Sequence, residues 1–262
     1  MKVNIVGAQV DSYSFDEVVE ITLDRALNGT SPAYIVTPNA QHINNLQSDS
    51  LFRKIYRQAF LVVPDGMSIL WAAKFLKTPL RGKVSGSNLF EKLCERGASK
   101  PLKIFLLGGR PQAADRAAKI LERRYPGLKI AGTYCPPYGF ENEPSEINLI
   151  NHRIASAAPH ILFVGLGSPK QEKWVYANYQ KLKVPVSIGI GVSFEFTAGM
   201  VKRAPVWMQE NGFEWLFRLL VEPKRLWRRY IIGNPQFIFL VLRQKIGLAK
   251  KFKSTEKSNS MR

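Results

Sequence analysis

The stretch over residues 161–174, I-L-F-V-G-L-G-S-P-K-Q-E-K-W, limits what this chain can fold into more than any other. Ile161, Leu162, Phe163 and Val164 form a short apolar run without polar alternation, which suits a strand buried on both faces. Gly165 and Gly167 then allow a tight turn and leave no Cβ between the backbone and whatever lies above it. Ser168 suits an N-cap, Pro169 the first helical position, and Glu172 the first turn, where negative charge is favoured. Lys170 and Gln171 add an ammonium and an amide beside the free N–H groups. A strand aimed at a helix N-terminus is a ready anion site, so a phosphate or diphosphate is the expected guest. The plain alternative is an ordinary strand-to-helix connection; the crowd of donors past the turn favours a ligand.

The same grammar recurs along the chain. Further strands are expected near residues 2–6, 33–37, 60–63, 103–107, 128–131 and 186–190. S-F-D-E at 14–17 has capping-box spacing and opens a helix carrying Val18, Ile21, Leu23 and Leu27, stopped by Gly29. Other helices are expected over 67–77, 88–98, 111–125 and 144–157. Strands alternating with helices imply an α/β fold, a largely parallel sheet covered on both faces with ligands held outside the strand carboxyl ends. Thr37, Asp65, Gly108, Gly165 and Gly191 fall at such ends, and Gly109 extends the Gly108 turn.

The 262 residues contain 38 Lys and Arg against 20 Asp and Glu, a formal charge of +18. Such an excess calls for an anionic partner: nucleic acid, acidic lipid or a phosphorylated substrate. Cys94 and Cys135 sit in no C-x-x-C or Cys/His cluster, so neither a disulfide framework nor a zinc site is indicated and a reducing cytosol fits. Residues 1–10 lack the features of a signal peptide, and no apolar span approaches transmembrane length; a soluble or membrane-surface protein is expected. The G-x-G at 165–167 lacks the third glycine of a dinucleotide fingerprint, and the next strand ends in Gly191 where that fold needs an acid, so NAD and FAD are disfavoured. His42, His152 and His160 form no pair at ligand spacing, and no D-x-D occurs. No metal is expected. A departing nucleotide diphosphate would instead be neutralised by helix N-termini, Lys83, Lys170 or C-terminal arginines.

From residue 199 the character changes. Arg203, Arg218, Arg225, Arg228 and Arg229 alternate with Trp207, Trp215, Trp227 and Tyr230, and an apolar run over 237–242 is flanked by Arg243, Lys245, Lys250, Lys251 and Lys253. A solvated helix face whose tryptophans pack on the sheet, a platform for stacked bases, and a membrane surface are the three readings; the apolar run favours the last. The expected plan is a catalytic domain over 1–198, a basic aromatic helical membrane-associating appendage over 199–253, and a disordered tail over 254–262. Removing the appendage is expected to leave a folded domain. Asp65 is the candidate base, placed at a strand end to take a proton from a hydroxyl, although on sequence alone its type and position suit a helix N-cap slightly better. Thr37 has the same two readings, as a cap or as a group that positions a reacting sugar.

Several motifs together resemble the WecG/TagA/CpsF glycosyltransferases of bacterial cell-surface polymer synthesis, over residues 3–237. They are T-P-N at 37–39, P-D-G at 64–66, G-L-G-S-P-K-Q-E-K-W at 165–174, G-I-G-V-S-F-E-F-T-A-G at 189–199, V-K-R-A-P-V-W-M-Q at 201–209 and E-P-K-R-L-W-R-R-Y-I-I-G-N-P at 222–235. The resemblance implies a Rossmann-like fold of GT-E type. It also implies inverting transfer of a sugar from a UDP-sugar to a sugar on a polyprenyl diphosphate, with no metal or other cofactor. It casts Asp65 as general base, Thr37 as an assistant at the reacting centre and Gln171 as a neighbour of the nucleotide sugar. Asn39, Gly108, Gly109, Gly165, Gly167, Lys170, Glu172, Phe194 and Glu195 join Gln171 in the expected nucleotide-sugar set. The family's C-terminal appendage is held to cover the site and meet the membrane, which puts Arg218, Arg225, Arg228 and Arg229 beside the diphosphates. Lys83, Asn88 and Arg203 complete the acceptor and diphosphate set. Many members carry Arg and Asp in an R-V-T-G-S-D segment where this chain has Lys83 and Asn88; Lys keeps the charge and loses the bidentate fork. Glu195 stands where Asp is commoner. N-acetylmannosamine, its uronic acid and glucose are all donor sugars within the family. The expected partners are a UDP-sugar, a polyprenyl-diphosphate-linked acceptor and the cytoplasmic face of the bacterial cell membrane, without nucleic acid and with self-association left open. A nucleic-acid-binding protein and a non-catalytic membrane adaptor are the rival readings.

Overall fold

The computed structural model describes residues 1–248. Lys250, Lys251, Lys253 and the expected tail over 254–262 lie outside the described residues. The chain opens with β1 (Lys2–Ile5) and β2 (Ala8–Asp11), an antiparallel hairpin that pairs Val3 with Val10 and Ile5 with Ala8. Val6 and Gly7 turn it with φ of 48° and 92°, both positive as a turn matching the twist of two strands requires. The expected first strand therefore belongs to a hairpin, not to the parallel sheet. In α1 (Phe15–Asn28) the capping box is reciprocal: Ser14 N–H donates to Glu17 Oε2 at 2.8 Å, and Glu17 N–H donates to Ser14 Oγ at 3.3 Å.

The alternation then runs β3 (Ala33–Val36), α2 (Ala40–Ser48), α3 (Ser50–Gln58), β4 (Leu61–Val62), α4 (Met67–Phe75) and α5 (Gly86–Gly97). It continues through β5 (Lys103–Gly108), α6 (Ala113–Arg124), β6 (Lys129–Tyr134), α7 (Pro144–Ala157), β7 (Ile161–Gly165), α8 (Lys170–Leu182), β8 (Val186–Gly189) and the short α9 (Ser193–Thr197). Four helices follow: α10 (Val206–Glu210), α11 (Glu214–Val221), α12 (Pro223–Trp227) and α13 (Gly233–Lys245), with a π-helical turn over Arg228–Ile232 joining the last two.

Among the described residues the main sheet has six strands, all parallel, in the order β4-β3-β8-β7-β5-β6. Side chains alternate between its faces as the strand period of two demands. Ile161 and Phe163 of β7 join a core with α1, α5, α6 and α9, while Leu162 and Val164 join one with α2, α3, α7 and α8. The chain leaves β3 toward one face and β8 toward the other. A crevice therefore opens at their carboxyl ends, where parallel α/β sheets bind ligands.

The C-terminal region is built into this body. Phe237 and Val241 of α13 are buried in the core that holds Val3, Ile5 and Ile43. Gln244 accepts from Val6 N–H at 2.6 Å and donates to the Asn4 carbonyl at 2.8 Å, and Asn44 donates to the Gly233 carbonyl at 2.8 Å. The run 237–242 is thus divided: Phe237 and Val241 face inward, Ile238, Phe239 and Leu242 outward. Residues 199 onward therefore contribute Phe237 and Val241 to the core beside the hairpin. Phe237→Ala should cost about 3 kcal/mol of unfolding free energy in urea titration, whereas Phe239→Ala, at a position 58% exposed, should change it by less than about 0.5 kcal/mol.

Candidate active site

Backbone hydrogen bonds stitch the turns at the crevice together. Asp65 N–H donates to the Pro38 carbonyl and Val84 N–H to the Pro64 carbonyl, both at 2.8 Å. The P-D-G turn is thereby clamped between T-P-N and the loop that starts α5. Gly66 caps α4 at φ 98°, a backbone that excludes ordinary side chains. Asn39 caps α2, accepting from His42 N–H at 3.2 Å. Neither Asp65 nor Thr37 is a helix cap, so both of those readings fall away.

A polar cavity of about 370 Å³ lies over the ends of β4, β3, β8 and β7. Thr37, Asn39, Asp65, Gly167, Ser168 and Gln171 line its floor, and Gly191 continues it at the end of β8. The first turns of α2, α5 and α8 open onto it through Gln41, Gly86 and Gln171; the His42, Asn88 and Gln171 N–H groups are taken up by Asn39, Ser85 and the Gly167 carbonyl, and the remaining first-turn N–H groups lack intrahelical partners. Its roof comes from the C-terminal helices: Arg218, Arg225, Arg229 and Glu214. A second, apolar cavity of about 710 Å³ adjoins it and shares Asn39, Gln41, Asp65, Glu214, Arg218 and Arg229. Asp65 stands at the junction.

Asp65 is half-buried and densely surrounded. Burial, reinforced by the Glu214 carboxylate and opposed by Arg229, Lys83 and Arg218, raises its pKa to about 7. Burial also holds the Arg229 guanidinium below its ordinary value. His42 is pushed down to about 3 by burial and then by Arg229, so it is neutral throughout the physiological range. Beneath the cavity, His42 Nδ1 lies 2.6 Å from the Tyr56 hydroxyl and Nε2 3.8 Å from Glu172 Oε1. Gln171 donates to Glu172 Oε1 at 2.7 Å and accepts from Gly191 N–H at 3.0 Å, which ties the start of α8 to the turn after β8.

The structure distributes the other expected residues differently. Pro169, not Ser168, occupies the cap position of α8. Lys170 reaches away to Glu141 at 2.7 Å and lies 4.7 Å over the Phe140 ring. Glu172 is buried below the floor, and burial raises its pKa. Gly165 and Gly109 lack a Cβ for the sake of Phe194, whose ring atoms would lie 2.9 and 3.2 Å from one, and Gly108 crowds the Gly165 backbone at 2.8 Å. These glycines and Phe194 form a packed interior junction, not a ligand cradle. Glu195 Oε1 accepts from Arg110 N–H at 2.9 Å and so braces the turn after β5. Asn88 and Arg203 pair with each other at 2.6 Å, Lys83 donates to the Gln209 carbonyl at 2.8 Å on the wall of the apolar cavity, and Arg228 lies 5.3 Å over Trp227. Sequence reasoning missed Gln41, Ser85, Gly86, Val192 and Glu214; the S-G-S at 85–87 at a helix start was the signal that was there to be read. Among the described residues no group of three His, Cys, Asp or Glu side chains could hold a metal ion, and no helix is long and apolar enough to cross a membrane.

The model of the glycosyl transferase WecG/TagA/CpsF family matches residues 3–251. This chain belongs to that family. Two relatives from Staphylococcus aureus, strains COL and MSSA476, are each 30% identical over 250 residues, covering 95% of this chain and 95% of theirs. Both are named N-acetylglucosaminyldiphosphoundecaprenol N-acetyl-beta-D-mannosaminyltransferase. In this glycosyl transferase, the raised pKa of Asp65 also has a sign for stability. The folded protein holds the Asp65 proton up to about pH 7, whereas an unfolded chain releases it near its ordinary value, so ionisation between these limits removes stability as pH rises. Asp65→Asn should therefore melt higher than the native protein at pH 8, with the difference vanishing toward pH 4, as read by calorimetry across that range.

Proposed function

We propose that this family member is an inverting transferase that moves a sugar from a UDP-sugar to a sugar carried on a polyprenyl diphosphate. The observation that carries this reading is the position of Asp65 where a polar cavity ringed by helix N-termini and arginines meets an apolar one. The names of the S. aureus relatives support N-acetylmannosamine as the sugar and N-acetylglucosaminyl diphosphoundecaprenol as the acceptor. The donor's pyrophosphate lies against the first turns of α5 and α8 with Arg218, Arg225 and Arg229 over it, where fixed positive ends and guanidinium forks stabilise developing charge. Asp65, as carboxylate, takes the proton of the acceptor hydroxyl. That oxygen bonds to the anomeric carbon from the side opposite the pyrophosphate, the anomeric carbon–oxygen bond breaks, and UDP leaves with the electron pair. Thr37, buried beside Gly86, positions the reacting sugar. No metal is needed, since the cationic side chains supply the neutralisation.

Work at a cytoplasmic membrane surface is supported by the lipid acceptor and by Ile232 and Phe239, which are exposed outside both cavities. The nucleic-acid reading weakens because Arg218, Arg225 and Arg229 converge on one cavity instead of forming an open stripe along a helix. A base with a pKa of about 7 must be ionised to act. Log kcat/KM with a purified lipid-linked acceptor should rise with pH up to about 7 and level off above it. Asp65→Asn should lower kcat on the order of 10²- to 10⁴-fold and flatten the profile; native turnover by this variant would contradict the assignment. Turnover should be unchanged by chelator, and recovery only on adding magnesium or manganese would overturn metal independence.

A further inference from the structure

The apolar cavity extends well beyond the groups that the sugar chemistry uses. Its long walls are α4 and α13. Both helices begin at the catalytic edge, α4 just after Asp65 and α13 just after Arg229 and Tyr230, and both run outward. At the far end Lys245 of α13 donates to the Phe75 carbonyl at 3.0 Å and lies 5.4 Å from the Phe75 ring centroid. Met67, Trp71 and Phe75 recur at four-residue spacing on α4, as do Asn234, Ile238 and Leu242 on α13, so each helix turns one edge into the trough.

The lining is unusual for a protein surface. Trp71, Phe75, Ile231, Ile238 and Leu242 are each between 47% and 56% exposed, and all line this one concavity. Gly212 makes room for the Trp71 indole, since a Cβ there would stand 2.4 Å from the ring. Large apolar side chains left half in water along a single groove mark a ligand surface. The mouth of the groove has the opposite character, with Lys83, Arg218 and Arg229 on its wall. Charge and hydrocarbon thus follow one another along one axis.

We infer that this trough binds the first prenyl units of a polyprenyl diphosphate, with the diphosphate at Lys83 and beside Arg218 and Arg229, which line both cavities and so stand between it and the donor's pyrophosphate, and with the tail running between α4 and α13 past Lys245. The inference rests on the acceptor reading above and deepens it by giving the lipid tail its own binding site. The match is one of sequence along the groove: an anionic head needs the cationic mouth, and a long run of hydrocarbon needs the walls beyond it. A peptide would need hydrogen-bond partners along walls that are mostly hydrocarbon. From Met67 to Phe75 the helix rise is roughly 12 Å, room for about two to three extended prenyl units. Lys245 at the exit suits the headgroup level of a bilayer into which the remaining tail would pass.

Binding is tested without turnover, by titration calorimetry of the intact chain with isopentenyl, geranyl, farnesyl and geranylgeranyl diphosphate in the absence of a sugar donor. Affinity should rise on the order of tenfold or more from isopentenyl to farnesyl as methylenes are buried, then level off once the trough is full. A Trp71→Ser, Ile238→Ser double variant, altered at positions exposed enough to leave folding intact, should reduce that gain to less than about threefold, while Ile238→Leu should retain it. Equal affinity across the series, a rise that continues unchanged beyond farnesyl, or a full gain in the double variant would each overturn the trough. Graded prenyl binding without sugar transfer would remove the transferase reading and leave the trough. Sugar transfer with a flat prenyl series would do the reverse.

Discussion

A carboxylate withdrawn from water at the end of a parallel strand is costly to ionise, and the cations that offset part of that cost here come from the far end of the chain. Asp65 is fixed by the hydrogen bond from its own N–H to Pro38, while Arg218 and Arg229 reach it from α11 and the π-helical turn. The position of those arginines depends in turn on α13, whose Phe237 and Val241 are anchored in the core beside the N-terminal hairpin. Arg110, in the turn after β5, pairs with Glu222 between α11 and α12, and Arg225 pairs with the same carboxylate from within α12. The chemistry of one carboxyl group thereby depends on contacts between the two ends of the sequence.

The arrangement has a mechanical logic. Parallel strands deliver several turns to one edge, and helix N-termini arrive there with unpaired N–H groups. The first turns of α2, α5 and α8 do this over β3, β4, β7 and β8. A roof of helices then closes the edge from above and adds an apolar trough beside the polar pocket. Cavities of opposite character thus meet at Asp65 from different sides.

Much of the fold was legible because strands buried on both faces read as plain apolar runs; residues 161–164 and 103–107 announced themselves in this way. The capping box at Ser14 and Glu17 was legible for a similar reason, since its chemistry is local. What escaped was decided by tertiary contact. A-Q-V-D at 8–11 has too little pattern to be read as a strand, and only its pairing with β1 makes it one. Helix α3 follows α2 after a single residue, Asp49, whose side chain accepts from Phe52 N–H at 2.9 Å; no helix is expected over 50–58 from the sequence. The glycines at 109 and 165 declare that something comes close without declaring what, and the neighbour is Phe194. Arg228 and Arg229 are adjacent and chemically identical, yet the π-helical turn sends one over Trp227 and the other into the cavity that Asp65 lines. Residues placed by a strand end, Thr37, Asp65 and Gly167, do line the one cavity, whereas the positions of those on docked helices could not be read from the sequence.

The central claim is that the pyrophosphate of the donor sits in the polar cavity beside Asp65, between the first turns of α5 and α8 and the arginines above. A crystal structure of the full chain with uridine diphosphate tests it most directly. The account predicts phosphate oxygens within hydrogen-bond distance of Arg218 or Arg229 and of backbone N–H groups near Gly86 or Gly167. Uridine diphosphate bound elsewhere, with this cavity filled only by water, would contradict it.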